Sequence, residues 1–229
     1  MKKKLAIVGT APSSMGLAPF DDPEWDIWSL TVLYDKIPRW THWYELHDVE
    51  NIISMAKKEP QKFGGYIEFL KSIGPKVTIA RPHPELPEAT IFPKDEALER
   101  FGRGAFTSSI SWMMAKAIME GYEEIGLWGI DMVAQEEYAW QRPGCYYFLG
   151  VCKGQGIKTH LPLESDLMKV HKLYCFEDDN ELRLLSIVRQ KEIQQRIDMA
   201  KNQQRVATEE MQYLTGALDD LNYFLRNHF

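Results

Sequence analysis

The sequence predicts an α/β fold: a Rossmann-like, mostly parallel sheet with helices on both faces, followed by a long C-terminal helix or helical hairpin. Three observations predict it. Short apolar strand patterns alternate with helical ones through residues 1–176. The first of them, Lys4-Leu-Ala-Ile-Val-Gly9, is nearly all apolar and ends on glycine, as a buried parallel strand entering a turn does. From 177 to 229 the pattern changes to an unbroken heptad.

Taken in order, strands are expected at 4–9, 25–30, 42–47, 76–80, 125–130 and 157–161, and helices at 51–58, 61–73, 107–120 and 144–153. Residues 81–93, RPHPELPEATIFP, hold four of the twelve prolines, a density that no regular helix or central strand tolerates. This segment reads as a surface loop, either the rim of a site or a plain connection.

The second unit is expected at 177–229. Ile193, Ile197, Ala200, Gln204, Ala207, Met211, Leu214, Leu218, Leu221 and Leu225 repeat with 4-3 spacing, and no proline follows Pro162. A helix from 178 to 227 would be roughly 75 Å long at 1.5 Å per residue. Such a helix must cover its seam, by folding back near Lys201-Asn-Gln-Gln204 or by meeting another subunit. A homo-oligomer through 193–225 is the expectation, with a partner-binding helix as the alternative.

The bulk numbers bound the function. Of 229 residues, 45% are hydrophobic and 26% charged, and the net charge of −6 gives no basic footprint for nucleic acid. Cys145, Cys152 and Cys175 form no CxxC pair and cannot all be bridged, which favours a reducing compartment. MKKKLAIVG has too short an apolar run for a signal peptide, and no stretch is long enough to span a membrane. A cytoplasmic protein is expected.

In parallel α/β sheets ligands bind beyond the carboxyl ends of the strands, which directs attention to particular residues. Gly9, Thr10, Ala11, Pro12 and Ser13 form a turn rich in hydroxyls and amides after the first strand, suited to a phosphate or to the edge of a nucleotide sugar. The turn is neither GxGxxG nor a P-loop, since the lysine is missing. Thr107, Ser108 and Ser109 open a helix, where unpaired N–H groups and the dipole favour an anion. Asp131 ends the next strand, placed to take a sugar hydroxyl or base edge; an N-cap and a turn acid are the plain alternatives. Glu45 and His47 share one strand face and Asp48 follows, a pattern that can make a general base. Tyr138 and Arg142 are typical phosphate partners, though a surface turn is the duller reading. The six histidines show no HExxH or paired spacing and no Asp-x-Asp is present, so no metal is expected.

The segments VGTAPSS and FTSSISWMMAKAIMEGYEEIGLWGIDM resemble the signatures of the bacterial sialyltransferases that build lipooligosaccharide and of the related MptE-like domains of hydroxymethylpterin pyrophosphokinase type. The likeness covers residues 4–15 and 105–131, and the chain also resembles phage-encoded proteins with a similar RPG segment. It implies a Rossmann-like, metal-independent domain with no cofactor, whose nucleotide-sugar substrate is held by Gly9 to Ser13, Thr31 and Thr107 to Ser109. Thr10 or Ala11 stands where that family has Asn, and Ser109 where it has Gly. The family's catalytic His, which follows Gly-Ile-Asp, has no counterpart between Asp131 and His160, so the base moves to His47 or Asp48 or is lost. Three functions follow: an inverting glycosyltransferase acting on an unknown acceptor hydroxyl, a pterin pyrophosphokinase-like enzyme, and a non-catalytic nucleotide-binding or phage assembly protein that works through its arm.

Overall fold

The computed structural model describes residues 3–30, 34–132, 136–168, 175 and 179–228, with side chains for all of these except 136–138, 179–185 and 228. Seven strands, β1 (Lys4–Val8), β2 (Trp25–Ser29), β3 (His42–Glu45), β4 (Val77–Ile79), β5 (Thr90–Ile91), β6 (Glu124–Trp128) and β7 (Lys158–His160), form one sheet in the order β5-β4-β3-β2-β1-β6-β7. Every neighbouring pair is parallel. The helices are α1 (Val49–Lys58), α2 (Pro60–Phe63), α3 (Tyr66–Ile73), α4 (Lys94–Phe101), α5 (Ser109–Met119), α6 (Glu136–Gly154) and α7 (Asp179–His228).

Strand alternation sorts the core into two layers. Ala6, Val8, Ile27, Trp43, Val77 and Ile79 point to one face and are covered by Val49 and Ile52 of α1 and Tyr66 and Leu70 of α3. Leu5, Ile7, Trp28, Tyr44, Ile125 and Leu127 point to the other, against Phe101 of α4, Met113, Met114 and Ile118 of α5, and Cys145 and Phe148 of α6. A parallel sheet covered on both faces needs strands apolar on both sides, which is why β1 lacks polar alternation. Strand order runs outward from β1 in one direction through β5 and then restarts at β6 on the other side, so the switch point lies between β1 and β6.

Four details depart from the sequence reading. The proline-rich 81–93 segment contains β5, two exposed residues paired at the sheet edge, where missing N–H donors cost least. Gly64 and Gly65 divide the expected 61–73 helix into α2 and α3. The amphipathic α4 lies just past Pro93, a position at which proline blocks nothing. The helix expected at 144–153 begins earlier, since α6 starts at Glu136 and carries Pro143 inside it, so Arg142 stands on a helix and not on the surface turn that was its plainer reading. Beside the proline, the Thr107 hydroxyl donates to the Gln141 carbonyl (2.6 Å) and accepts from the Gly144 N–H (3.0 Å), giving partners to helix groups on either side of Pro143. A Cβ at Gly144 would run into that hydroxyl and into the Ala105 carbonyl.

The chain divides into two compact units, Met1–Lys169 and Val170–Phe229. The second contains α7, one continuous helix of 50 residues with no fold-back at 201–204. Among the described residues no helix is long and apolar enough to cross a membrane.

Candidate functional site

The loops leaving β1 and β6 meet at the switch point. The Gly9 N–H donates to the Trp128 carbonyl and the Ala11 N–H to the Gly129 carbonyl, both at 2.8 Å. Glycine is required on both sides: a Cβ at Gly9 would lie 2.5 Å from the Gly129 oxygen, and one at Gly129 would lie 2.6 Å from the Gly9 oxygen, with Gly129 also at φ +66°. Ser14, fully buried, accepts the Gly129 N–H at 2.9 Å. On the other side Ser165, also buried, donates to the Ile130 carbonyl at 2.9 Å.

Two features of the β6 loop point to a ligand. Asp131 is half-buried, and its Oδ1 is shielded from solvent with no hydrogen-bond partner among the described residues; an unmet acceptor of this kind is costly unless something donates to it. Met132 adopts φ +52°, a left-handed conformation that costs a non-glycine residue about 1–3 kcal/mol. Arg142 holds it there, with both Nε (3.0 Å) and Nη2 donating to the Met132 carbonyl. Half of the guanidinium fork is therefore committed to the loop instead of to a phosphate.

The start of α5 is tied to this loop through α6: the Thr107 hydroxyl bonds Gln141 and Gly144, and the adjacent Cys145 thiol donates to the Met132 sulfur at 3.6 Å. Ser108 is the N-cap of α5. Its hydroxyl accepts from the Ser111 N–H, while the Ser111 hydroxyl accepts from the Ser108 N–H, a reciprocal cap. Helix geometry leaves the N–H groups of Ser109 and Ile110 for an anion. The Thr107 and Ser108 hydroxyls, by contrast, are spent within the protein. Burial pushes the Cys145 thiol up to about 12 and the Cys152 thiol up to about 11, so both stay protonated near neutral pH and neither is an activated nucleophile.

Farther along the edge, β3 ends in a histidine–carboxylate pair. Glu45 is 3% exposed. Its Oε1 accepts from the His47 backbone N–H (3.0 Å) and faces His47 Nδ1 (2.7 Å), and its Oε2 accepts from the Tyr66 hydroxyl (3.1 Å), which itself accepts from Trp43 Nε1 (3.0 Å). A carboxylate can only accept, which assigns a proton to Nδ1 and leaves the lone pair of the neutral ring on Nε2. The His47 side chain is 65% exposed. Burial and the neighbouring Glu45 charge push the Tyr66 phenol well above its usual range, so it remains a donor. Asp48 has a different role: it caps α1, accepting the Glu50 N–H at 2.9 Å.

All these groups lie on the carboxyl edge of the sheet, but not all are together. The Gly9 to Ser13 turn bonds the 129–132 loop directly, whereas the α5 start is tied to it through α6. His47 stands three strands from β6, about 14 Å away at 4.7–4.9 Å per strand. Thr31 lies outside the described residues, as does the side chain of Tyr138. Sequence reasoning counted Ser14 among the hydroxyls of a ligand loop, whereas its side chain accepts the Gly129 N–H, and it missed Tyr66 and Ser165, which act across the fold and leave no local pattern. Two cavities of about 410 and 380 Å³ lie elsewhere, around α3 and the 84–89 segment, with Lys71 and Glu85 lining both. Among the described residues no group of three or more His, Cys, Asp or Glu side chains is placed to hold a metal ion.

A scan against known protein families finds no match, and neither does a search of curated proteins. Among solved structures the chain is similar to the sialyltransferase CstII from Campylobacter jejuni in complex with a substrate analogue, CMP-3FNeuAc. That alignment has a TM-score of 0.48 and 17% identity, covering 70% of this chain and 80% of that one. The same enzyme with cytidine-5'-monophosphate aligns at a TM-score of 0.44 and 16% identity, covering 69% and 79%. The sialyltransferase CST-II in complex with trisaccharide acceptor and CMP aligns at 0.45 and 15%, covering 69% and 80%.

Proposed function

We propose that this chain binds a nucleotide sugar along the carboxyl edge of its sheet and transfers the sugar, without a metal or other cofactor, to an acceptor hydroxyl. The observation that carries the reading is the buried Glu45 carboxylate holding an exposed His47 ring by Nδ1 on that edge. The nucleotide end belongs at the switch point, where the unpartnered Asp131 oxygen takes a ribose hydroxyl or a base amine and the Ser109 and Ile110 N–H groups face the phosphate. The acceptor end belongs near His47, so that donor and acceptor are spread along an extended substrate.

In the transfer, Nε2 of His47 takes the acceptor hydroxyl proton as the new bond to the anomeric carbon forms. The bond from that carbon to the phosphate oxygen breaks, and the nucleotide leaves with the electron pair. Glu45 stabilises the resulting imidazolium, and the α5 dipole stabilises charge developing on the departing phosphate. Attack and departure on opposite sides of the carbon invert its configuration. Arg142 contributes by holding the Asp131-Met132 turn in place, and Thr107 by securing α6 beside it.

The commitment of Thr107, Ser108 and half of Arg142 to internal bonds favours a second reading, nucleotide binding without turnover. Titration calorimetry with CMP, UDP and GDP and their sugars, followed by a donor-hydrolysis assay, tests both. Transfer requires binding that weakens in Asp131→Asn, and turnover that disappears in His47→Ala while binding stays. Binding with no turnover on any donor and acceptor supports the second reading. No binding of any nucleotide overturns both.

A further inference from the structure

The second unit presents an apolar row that is exposed among the described residues. Along α7, Ile193 and Ile197 are 42% and 41% exposed, and Met211, Leu214, Leu218, Leu221 and Leu225 are between 57% and 63% exposed. An apolar seam of this length left in water is unusual unless a partner covers it. The helix is continuous through 201–204, so the chain does not cover the seam by folding back there.

The charges along α7 identify the partner. Residues 186–205 carry Arg189, Lys191, Arg196, Lys201 and Arg205 against Glu192 and Asp198, a net +3. Residues 206–227 carry Glu209, Glu210, Asp219 and Asp220 against Arg226, a net −3. A parallel pair would set like half against like half and bring Arg196 beside Lys201 of the other helix, across the positions that flank a coiled-coil seam. An antiparallel pair sets positive against negative.

We propose that α7 pairs antiparallel with α7 of a second copy of this chain, in the register that sets Ile193 level with Leu218 of that copy, so that Arg196 and Glu210 of the two copies face each other diagonally, about 7.5 Å apart along the axis at 1.5 Å per residue. In that register Ile193 meets Leu218, Ile197 meets Leu214, the small Ala200 meets the long Met211, and the polar Gln204 meets Ala207 near the centre. Large residues meet large in the 193–218 and 197–214 layers and small meets long in the 200–211 layer, while Leu221 and Leu225 fall opposite Gln190 and Ser186 at the two ends. Gln204 falls where its flexible amide can reach solvent beside an alanine.

The test uses the full-length chain. Light scattering after size exclusion should give twice the chain mass, falling to one chain in Leu214→Glu with the melting of the first unit unchanged. Association should weaken at least tenfold in Glu210→Arg and recover when Arg196→Glu is added. Electron–electron distances between nitroxides then fix direction, in a Cys175→Ser background with single labels at Gln195→Cys or Asn202→Cys, two equivalent outward positions. The proposed register offsets the two labels by about 32 Å and about 10 Å along the axis, at 1.5 Å per residue over 21 and 7 residues. A monomeric wild type at high micromolar concentration, equal distances at the two sites, or no recovery in the double charge swap would overturn the proposal.

Discussion

The sheet carries two histidine–carboxylate pairs, one near each edge, and they show how placement decides what the same two side chains can do. At the carboxyl edge, Glu45 is enclosed and His47 is open. At the amino edge, Glu124 starts β6, and its Oε1 is shared between His160 Nε2 and Lys158 Nζ, the latter at 3.0 Å. The His160 ring is packed edge-on to Trp25 at 5.2 Å and parallel to Trp128 at 6.3 Å between ring centres. Gly126 beneath is bare because any Cβ would strike the Trp128 ring. One pair leaves its imidazole exposed beside the carboxyl ends of the strands, while the other joins the edge strand β7 to β6. A carboxylate beside an imidazole is thus no sign of catalysis until it is known which of the two is exposed and on which edge it stands.

The largest expected difference between the pairs is in turnover. His47→Ala should lower donor turnover by about 10²–10⁴-fold with little change in melting temperature, whereas His160→Ala should leave turnover intact and lower the melting temperature. Steady-state kinetics and calorimetry on both variants check this, and the reverse pattern would exchange the two roles.

Glu45→Gln comes next. It removes the charge that Tyr66 and His47 both address, and a broken buried network of this kind costs about 1–3 kcal/mol. Urea denaturation measures the loss.

Gly129→Ala should cost about 1–3 kcal/mol through its left-handed backbone and the closeness of the Gly9 carbonyl, and should weaken nucleotide binding. Gly156→Ala, also at positive φ (+73°) but with open space around its Cβ, serves as the control: it shares the backbone strain and should keep binding.

The smallest effect is a pH dependence at the amino edge. Burial works to raise the Glu124 carboxyl, but hydrogen bonds from Lys158 and His160, with their charges, outweigh it and hold the group below its usual 4.5. A carboxyl whose folded pKa is lowered adds stability above its unfolded pKa and loses it as pH falls through the folded one. Wild type should therefore lose stability relative to Glu124→Gln below about pH 4.5, as thermal melts from pH 6 to 3 would show.

Much of the architecture is legible in the sequence because burial writes directly into local pattern. The six strands that were expected follow from apolar runs such as Leu5 to Val8 and Ile125 to Trp128, and α5 follows from its Ser108 cap. What the sequence hides is the nonlocal compensation. Pro143-Gly144 reads as a break, and the Thr107 hydroxyl that bonds Gln141 and Gly144 on either side of the proline lies 36 positions before it in the chain. Glu45 and His47 are legible as neighbours by alternation, but not the Tyr66 and Trp43 donors that complete the pair. Arg142 has the chemistry of a phosphate ligand, and its commitment to the Met132 carbonyl depends on a turn that no local pattern encodes.

The account rests on the β1/β6 switch point as the place where a nucleotide docks. Amide NMR of the full chain titrated with CMP, UDP or GDP measures that most directly. The account predicts that the resonances of Gly9 to Ser13, Ser109, Ile110 and Gly129 to Met132 move together with one affinity, and that Asp131→Asn weakens that affinity. Shifts confined to Lys71, Glu85 and their neighbours around the α3 cavities, with the switch-point amides unmoved, would contradict it.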